Sequence, residues 1–521
     1  MPVEVVNPRY READVQGRIV PLLGSSLFPN TPWKPGLVGA SQAPQRVLTT
    51  RQKLILLLAT VALGFAIYRA PLPTLLAVNG FLVLFFAVAN VFKLWLVHRS
   101  LGNPCAVRVT RAQLDALDDH SLPVYTILVP LYHEGELVEQ LITGISQLNY
   151  PVDKLDVKIM LEEDDDETRA ALRRLDVPPS FEVLTIPHIG PKGKPRACNA
   201  GLSRARGEFL VIYDAEDRPE PDQLRKAVAA FRHGPPDQVC IQAKLNYFNR
   251  KHNVLTRWFT AEYSVWFDQL LPGLQSIDVA IPLGGTSNHF ITQRLRELGG
   301  WNAFNVTEDA DLGVRVFVRG WKTAVLDSTT YEEANSRFGN WIRQRSRWVK
   351  GYMQTYLYQM RHPVLLYRQM GRRAFIAFHL FFGAGTLCLL INPIYLALTG
   401  VWFATHWHVI ELLFPGPLLY ASIASFFLGN AAFTLTTISG AYARHNYDDV
   451  KWAILAPCYW LMMSIAAWKG LLQLIYKPFY WEKTQHGFCT LPTTMPRTIE
   501  LAGHLRVVRD ESDDDDVAMS A

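Results

Sequence analysis

The chain has 521 residues, enough for roughly two to four structural units, and its formal net charge of +5 is too slight to support nucleic-acid binding. Its six cysteines, Cys105, Cys198, Cys240, Cys388, Cys458 and Cys489, have neither CxxC nor zinc-finger spacing, which argues against a disulfide framework or a structural metal. A mean hydropathy of +0.05 averages two opposite kinds of sequence: charged residues crowd between about Arg99 and Arg373, and long apolar runs flank them.

Residues 1–50 carry Pro and Gly without helical or strand periodicity, so they read as a cytosolic extension with little structure rather than a signal peptide. Two apolar runs follow, Leu54 to Tyr68 and Leu72 to Val97, joined by RAPLP as a hairpin. The second is long enough to span a bilayer, and the first reaches the required ~20 residues by using its flanks. Arg46, Arg51 and Lys53 precede the hairpin, and Lys93, His98, Arg99, Arg108 and Arg111 lie at or beyond its end. The positive-inside rule then puts the N-terminus and the charged central block in the cytoplasm.

From about Val124 to Asp327 short apolar strands alternate with amphipathic helices. The strands are VYTILVP (124–130), KIMLE (158–162), FEVLTI (181–186), EFLVIYD (208–214) and QVCIQAKL (238–245). Helices are expected over Leu137–Leu148 and Pro221–Phe231. This alternation predicts an α/β domain with a mostly parallel sheet, whose ligands bind past the carboxyl ends of the strands. Apolar character returns in Ala374–Phe403, interrupted at Asn392-Pro393, in Pro417–Ala441 and in Trp452–Tyr476, and the chain closes on the acidic run ESDDDD (511–516).

Four polar groups carry candidate chemistry. Asp214, Glu216 and Asp217 follow an apolar strand, where hard oxygen ligands can hold Mg2+ or Mn2+ and through it a diphosphate; otherwise they form an acidic turn. Glu162, Glu163, Asp164, Asp165, Asp166 and Glu167 follow a second strand, and such a row repels itself unless cations or donors face it. Glu308, Asp309 and Asp311 read either as first-turn acids favoured by a helix dipole or as the source of a general base. In Gln344-Arg345-Ser346-Arg347-Trp348, a cation beside an indole suits phosphate pairing and sugar stacking, or an interfacial anchor.

DAED (214–217), TED (307–309) and QRSRW (344–348), in this order and spacing between membrane segments, resemble the family 2 glycosyltransferases. The likeness is closest to the inverting, processive membrane branch that includes bacterial cellulose synthase and hyaluronan synthase, and it runs from about Val124 to Gly487. The resemblance implies a GT-A α/β, Rossmann-like domain inserted between transmembrane helices. It implies that Pro130, Tyr132 and Glu134 line the base and ribose, with Glu162 or Asp164 as a nucleotide-binding acid. Lys194 and Asn199 fall near the diphosphate. Asp214 with Glu216 or Asp217 would hold Mg2+ or Mn2+. Asp309 becomes the general base that deprotonates the acceptor hydroxyl. Gly285, Thr286 and Ser287 fall in an acceptor-contacting loop, and Glu308, Gln344, Arg347 and Trp348 hold the acceptor end and pyrophosphate, with Arg347 balancing leaving-group charge. PFYWEKTQHG (478–487) resembles the nucleotide-capping loop, with Lys483, Thr484 and His486 as contacts.

A cytoplasmic capping loop requires an even number of crossings after Trp348. Four spans in total meet this, with Trp452–Tyr476 lying along the interface; a six-span version would split Ala374–Phe403 at Asn392-Pro393. The expected division is an extension over 1–50, a membrane hairpin over 51–98, a GT-A domain over 99–350, interfacial and membrane helices over 351–477, the capping loop over 478–490 and an acidic tail over 491–521. The implied activity is transfer from a UDP-sugar, UDP-glucose first, to a growing polysaccharide, coupled to export across a bacterial inner membrane. Bilayer lipid, a glycan acceptor and an unidentified export partner are the implied partners, and nucleic acid is not among them. The alternatives are addition of a single sugar to a lipid or other acceptor, and a non-catalytic transport or receptor subunit.

Overall fold

The computed structural model describes residues 46–102, 105–187 and 192–484, together with short strand segments at 11–13, 19–21, 499–501 and 505–507. His486, Cys489, most of the N-terminal extension and the ESDDDD run lie outside the described residues.

The centre is one eight-stranded sheet. In chain order the strands are β1 Tyr125–Leu131, β2 Leu155–Glu162, β3 Phe181–Ile186, β4 Phe209–Ile212, β5 Arg218–Pro219, β6 Gln238–Tyr247, β7 Asn288–Ile291 and β8 Lys322–Glu332. Their spatial order is β3-β2-β1-β4-β7-β6-β8-β5. The pairings make β1, β2, β3, β4, β6 and β8 run in one direction, while β7 is reversed in the middle and β5 at the edge. The expected mostly parallel sheet is present, widened by β5, β7 and β8, which the strand reading did not include. Every residue of β2 is buried, the condition of a strand covered by helices on both faces. The expected helices run over Val138–Ser146 and Gln223–His233.

Because six strands share a direction, their carboxyl ends share one edge: Leu131, Glu162, Ile186, Ile212, Tyr247 and Glu332. The helix Phe338–Gln359, which carries QRSRW, leaves that same edge after β8. It packs along Ala456–Tyr476 so closely that a Cβ on Gly470 would lie 2.7 Å from the Ser346 carbonyl oxygen. One buried core joins Leu96 of the hairpin, Phe259 and Leu271 of the domain, Trp341 of the QRSRW helix and Tyr459 and Ala466 of the last helix.

Among the described residues, five helices are long and apolar enough to cross a membrane: Thr50–Arg69, Pro71–Leu101, Pro363–Thr405, Gly416–Ala443 and Tyr447–Tyr476. Their contacts sort them. Far from the domain, Asn79 donates to the Leu413 carbonyl at 2.6 Å and accepts from the Tyr395 hydroxyl at 2.6 Å. Near the domain, Gln52 donates to the Leu357 carbonyl, and Arg444 binds Asp268 at 2.6 Å and Thr329 at 2.9 Å. The last segment differs, because both of its ends touch the domain side. Asp448 and Asp449 pair with Arg250 at 2.9 and 2.7 Å, while Pro478 and Tyr480 accept from Gln354 and Lys350 at 2.9 and 2.6 Å. Pro393 sits inside the continuous helix Ala384–Thr405, so the run is not split there. The break comes earlier, at Gly371, whose φ of 75° only glycine adopts without strain.

Candidate active site at the sheet edge

A cavity of about 720 Å³ opens over the carboxyl ends of the strands and continues between the membrane-type helices as far as Val83, Tyr395 and Ser422. Pro130, Tyr132, Glu134, Glu162, Lys194, Asp214, Glu216, Gly285, Thr286, Glu308, Asp309, Gln344, Arg347, Trp348 and Thr484 all line it. These side chains come from sequence segments more than three hundred residues apart.

The local folding explains each position. β4 ends at Ile212, and a tight turn follows in which the Asp217 carboxylate accepts from the Asp214 amide at 2.7 Å and from the Thr286 hydroxyl. Asp217 therefore faces into the turn, and Asp214 and Glu216 face the cavity. Lys194, first residue of a helix with Pro195 behind it, pairs with Asp214 and donates to the Gly285 carbonyl at 2.6 Å. Burial opposes its charge, but Asp214 pushes the ammonium above its ordinary value. On the far wall, Glu308 and Asp309 open the helix Glu308–Val318. Burial pushes both carboxyls up, Asp309 adds to the effect on Glu308, and Lys194 and Arg347 pull back. A Cβ on Gly285 would come 3.4 Å from the Asp309 carboxylate, so this glycine keeps the space in front of Asp309 open.

Other expected residues stand elsewhere. Asn199 clamps Trp301 through both backbone groups, donating at 2.8 Å and accepting at 2.9 Å, behind the cavity wall. Ser287 is buried and donates to Thr330 at 2.7 Å. Asp164 pairs with Lys192 at the rim, and Glu162 pairs with Arg196. Lys483 donates to the Tyr132 and His133 carbonyls and lies 5.4 Å from the Tyr132 ring centre. That contact folds the 481–484 segment over the site, bringing Trp481 within 5.3 Å of the Arg347 guanidinium.

Three cavity residues were not legible as site residues. Glu332, the last residue of β8, faces Asp214 and Glu216, and burial together with Asp217 and those two acids pushes its carboxyl well above the usual range. Its only signal was an acid at a strand end. Arg345 pairs with Glu262, donates to the Tyr459 hydroxyl oxygen at 2.9 Å and lies 4.6 Å from the Trp348 ring centre, so it holds that indole at the cavity neck. Tyr459 had no signal at all, since it meets Arg345 only through the packing of two helices.

Burial followed by Glu216 also raises Glu134, to about 8. Glu134, Asp214, Glu216 and Glu332 thus form an acid surplus that a divalent cation would relieve. Among the described residues no three His, Cys, Asp or Glu side chains converge tightly enough to hold a metal alone. The set fits Mg2+ or Mn2+ bound by one or two carboxylates and completed by diphosphate oxygens, with Asp214 and Glu216 as the facing pair.

A mixed sheet with helices on both faces and an acid-lined carboxyl edge defines a GT-A-type domain. A family model described as "Glycosyltransferase like family 2" matches residues 123–351. The chain is 29% identical over 259 residues to a beta-monoglucosyldiacylglycerol synthase of Trichormus variabilis, covering 49% of this chain and 53% of that protein. It is 27% identical over 241 residues to a probable glucomannan 4-beta-mannosyltransferase 7 of Oryza sativa subsp. japonica, covering 44% and 40%. A solved mannosyltransferase, PcManGT from Pyrobaculum calidifontis in complex with GDP-Man and Mn2+, aligns with a TM-score of 0.48 and 20% identity over 77% of this chain and 99% of its own. The chain spans about half the length of the curated relatives it matches.

Proposed function

We propose that the chain is a membrane-bound inverting hexosyltransferase that passes the sugar of a UDP-sugar to an acceptor arriving from the membrane side. The observation that carries this is the single cavity, which joins Asp214, Asp309 and Arg347 to a pocket between membrane-type helices. Four helices cross, and Ala456–Tyr476 lies along the interface, because both of its ends are tied to the domain. The domain and the 481–484 segment then share the cytoplasmic face.

Asp309 takes the proton of the acceptor hydroxyl as its oxygen attacks the anomeric carbon. Lys194 and Arg347 carry the charge gathering on the diphosphate, in a site where fixed cations need not reorganise. A cation on Asp214 and Glu216, Mg2+ or Mn2+, supplies further charge neutralisation when bound. Tyr132, Lys192 and Lys483 form the nucleotide end, and Thr484 brings to it a buried hydroxyl that has no partner among the described residues.

A lipid-borne acceptor fits the membrane half of the cavity best, because Val83, Phe86, Leu389, Leu396 and Phe426 line it. The lipid-synthase relative supports the same reading. A growing polysaccharide moved outward is the second reading, favoured by the reach of the cavity from Leu96 to Val83, roughly 20 Å of helix. The test uses the full chain in bilayers with radiolabelled UDP-glucose and other UDP-sugars, with Mg2+, Mn2+ or EDTA. Counts in the organic phase support a lipid product, and counts in ethanol-insoluble material support a polymer. Turnover that survives both EDTA and Asp309→Asn would sink the proposed chemistry.

A further inference from the structure

Among the described residues, the cavity's membrane half holds one cation, Lys93, on the hairpin helix Pro71–Gly102. Among the described residues Lys93 makes neither a hydrogen bond nor an ion pair; its contact is the Trp460 ring, 5.0 Å from its ammonium. The carboxylate that acts on it from the cytoplasmic side, Glu262, is already engaged by Arg345 and Tyr459. Towards the membrane the lining contains, among the described residues, no Asp or Glu, only apolar residues and neutral polar ones such as Asn90, Asn392 and Asn430.

Depth matters as much as charge. Leu96, three residues on, lies against Gly273 of the domain, so Lys93 sits roughly one helical turn inside the boundary, at headgroup level. A lysine placed only to reach lipid headgroups would point outward and snorkel. This one lines the inner cavity instead, with its ammonium over the Trp460 ring, where it faces whatever enters the cavity.

We propose that Lys93 is the anion subsite for a phosphate-bearing lipid, whose phosphate sits against Lys93 and Trp460 while its chains follow Phe86, Leu389 and Phe426. The headgroup of such a lipid then lies between Lys93 and Trp348, on the side of the cavity that leads to Asp309. This deepens the lipid-acceptor reading and rests on it.

The test needs no turnover. Full-length protein in a neutral maltoside detergent is melted with dioctanoyl phosphatidylglycerol, with dioctanoylglycerol or with inorganic phosphate, comparing wild type, Lys93→Arg and Lys93→Met. Phosphatidylglycerol should raise the midpoint of wild type and Lys93→Arg by several degrees and that of Lys93→Met by less than a third as much. Dioctanoylglycerol should act on all three alike, and inorganic phosphate should act on none. Equal stabilisation of wild type and Lys93→Met by phosphatidylglycerol would overturn the subsite, and so would a Lys93-dependent shift with inorganic phosphate alone. If Lys93→Met does not fold, native mass spectrometry of wild type decides, and no preference for dioctanoyl phosphatidylglycerol over dioctanoylglycerol overturns the proposal. A shift without sugar transfer sinks the transferase reading alone, and transfer without a shift sinks the subsite alone.

Discussion

Gly351 lies on the QRSRW helix where that helix crosses the TED turn. A Cβ there would stand 2.7 Å from the Thr307 Cβ, and nearer still to its Oγ1 and Cγ2. Thr307 is buried and precedes the helix that carries Glu308 and Asp309, so it has no room to rotate away. Restoring ordinary contact requires the turn and the helix to part by about 1 Å, and a displacement of that size at a reacting group costs on the order of 100-fold in rate. The same overpacking should lower stability by about 1–3 kcal/mol. Gly351→Ala is therefore expected to keep its fold and its donor affinity and to lose roughly two orders of magnitude in kcat. UDP release by the purified full chain, read beside a thermal melt, measures both. Gly339→Ala, on the same helix with nothing within 4 Å of the new Cβ, is the control and should leave kcat unchanged. A Gly351→Ala protein that turns over within threefold of wild type would refute the claim that this crossing sets the position of Asp309.

Asp309→Asn should reduce transfer at least ~100-fold while leaving the melting curve in place. Burial pushes the Asp309 carboxyl up to about 6, and the proposed base would act as the carboxylate. The rate should therefore rise with pH through a limb near 6; a limb near 4 in kcat would argue against this base. Asn199→Ala strands the Trp301 amide and carbonyl, so it should cost about 2–4 kcal/mol, read as a lower urea midpoint, with little change in donor KM at temperatures where the protein is folded. Asp449→Ala removes the more buried of the two carboxylates, Asp448 and Asp449, that Arg250 and Arg257 share, and hydrogen exchange over Tyr447–Leu455 should quicken at least tenfold, or the tie is not what holds that segment to the domain.

The acids of the cavity rim were legible as candidates because they sit at the ends of strands, and strand ends can be read from local pattern. An apolar run that stops at Asp214 or Glu162 marks a position on the carboxyl edge without any knowledge of its neighbours. The apolar helical hairpin was legible for a similar reason, since the length of an apolar run is a local quantity. Direction within the sheet was not. β7 is four residues long and reversed, and β8 carries an irregular register between Leu326 and Thr329, so neither presents a clean alternating pattern.

The fate of individual acids and polar groups also depended on packing. Asp214 and Asp217 are three residues apart and alike in chemistry, yet the turn after β4 sends one into the cavity and the other onto the Asp214 amide and Thr286. Asn199 matched the expected motif, but its side chain answers the backbone of Trp301, because a buried amide pairs with whatever unsatisfied backbone lies opposite. Glu332, Arg345 and Tyr459 reached the site through long-range contacts that no spacing encodes. The amino-acid sequence by itself determined the kinds of group available and the strand ends that offer them. Only the tertiary structure decided which of those groups face one cavity, because side-chain direction is settled by what each residue must bury against or bond to.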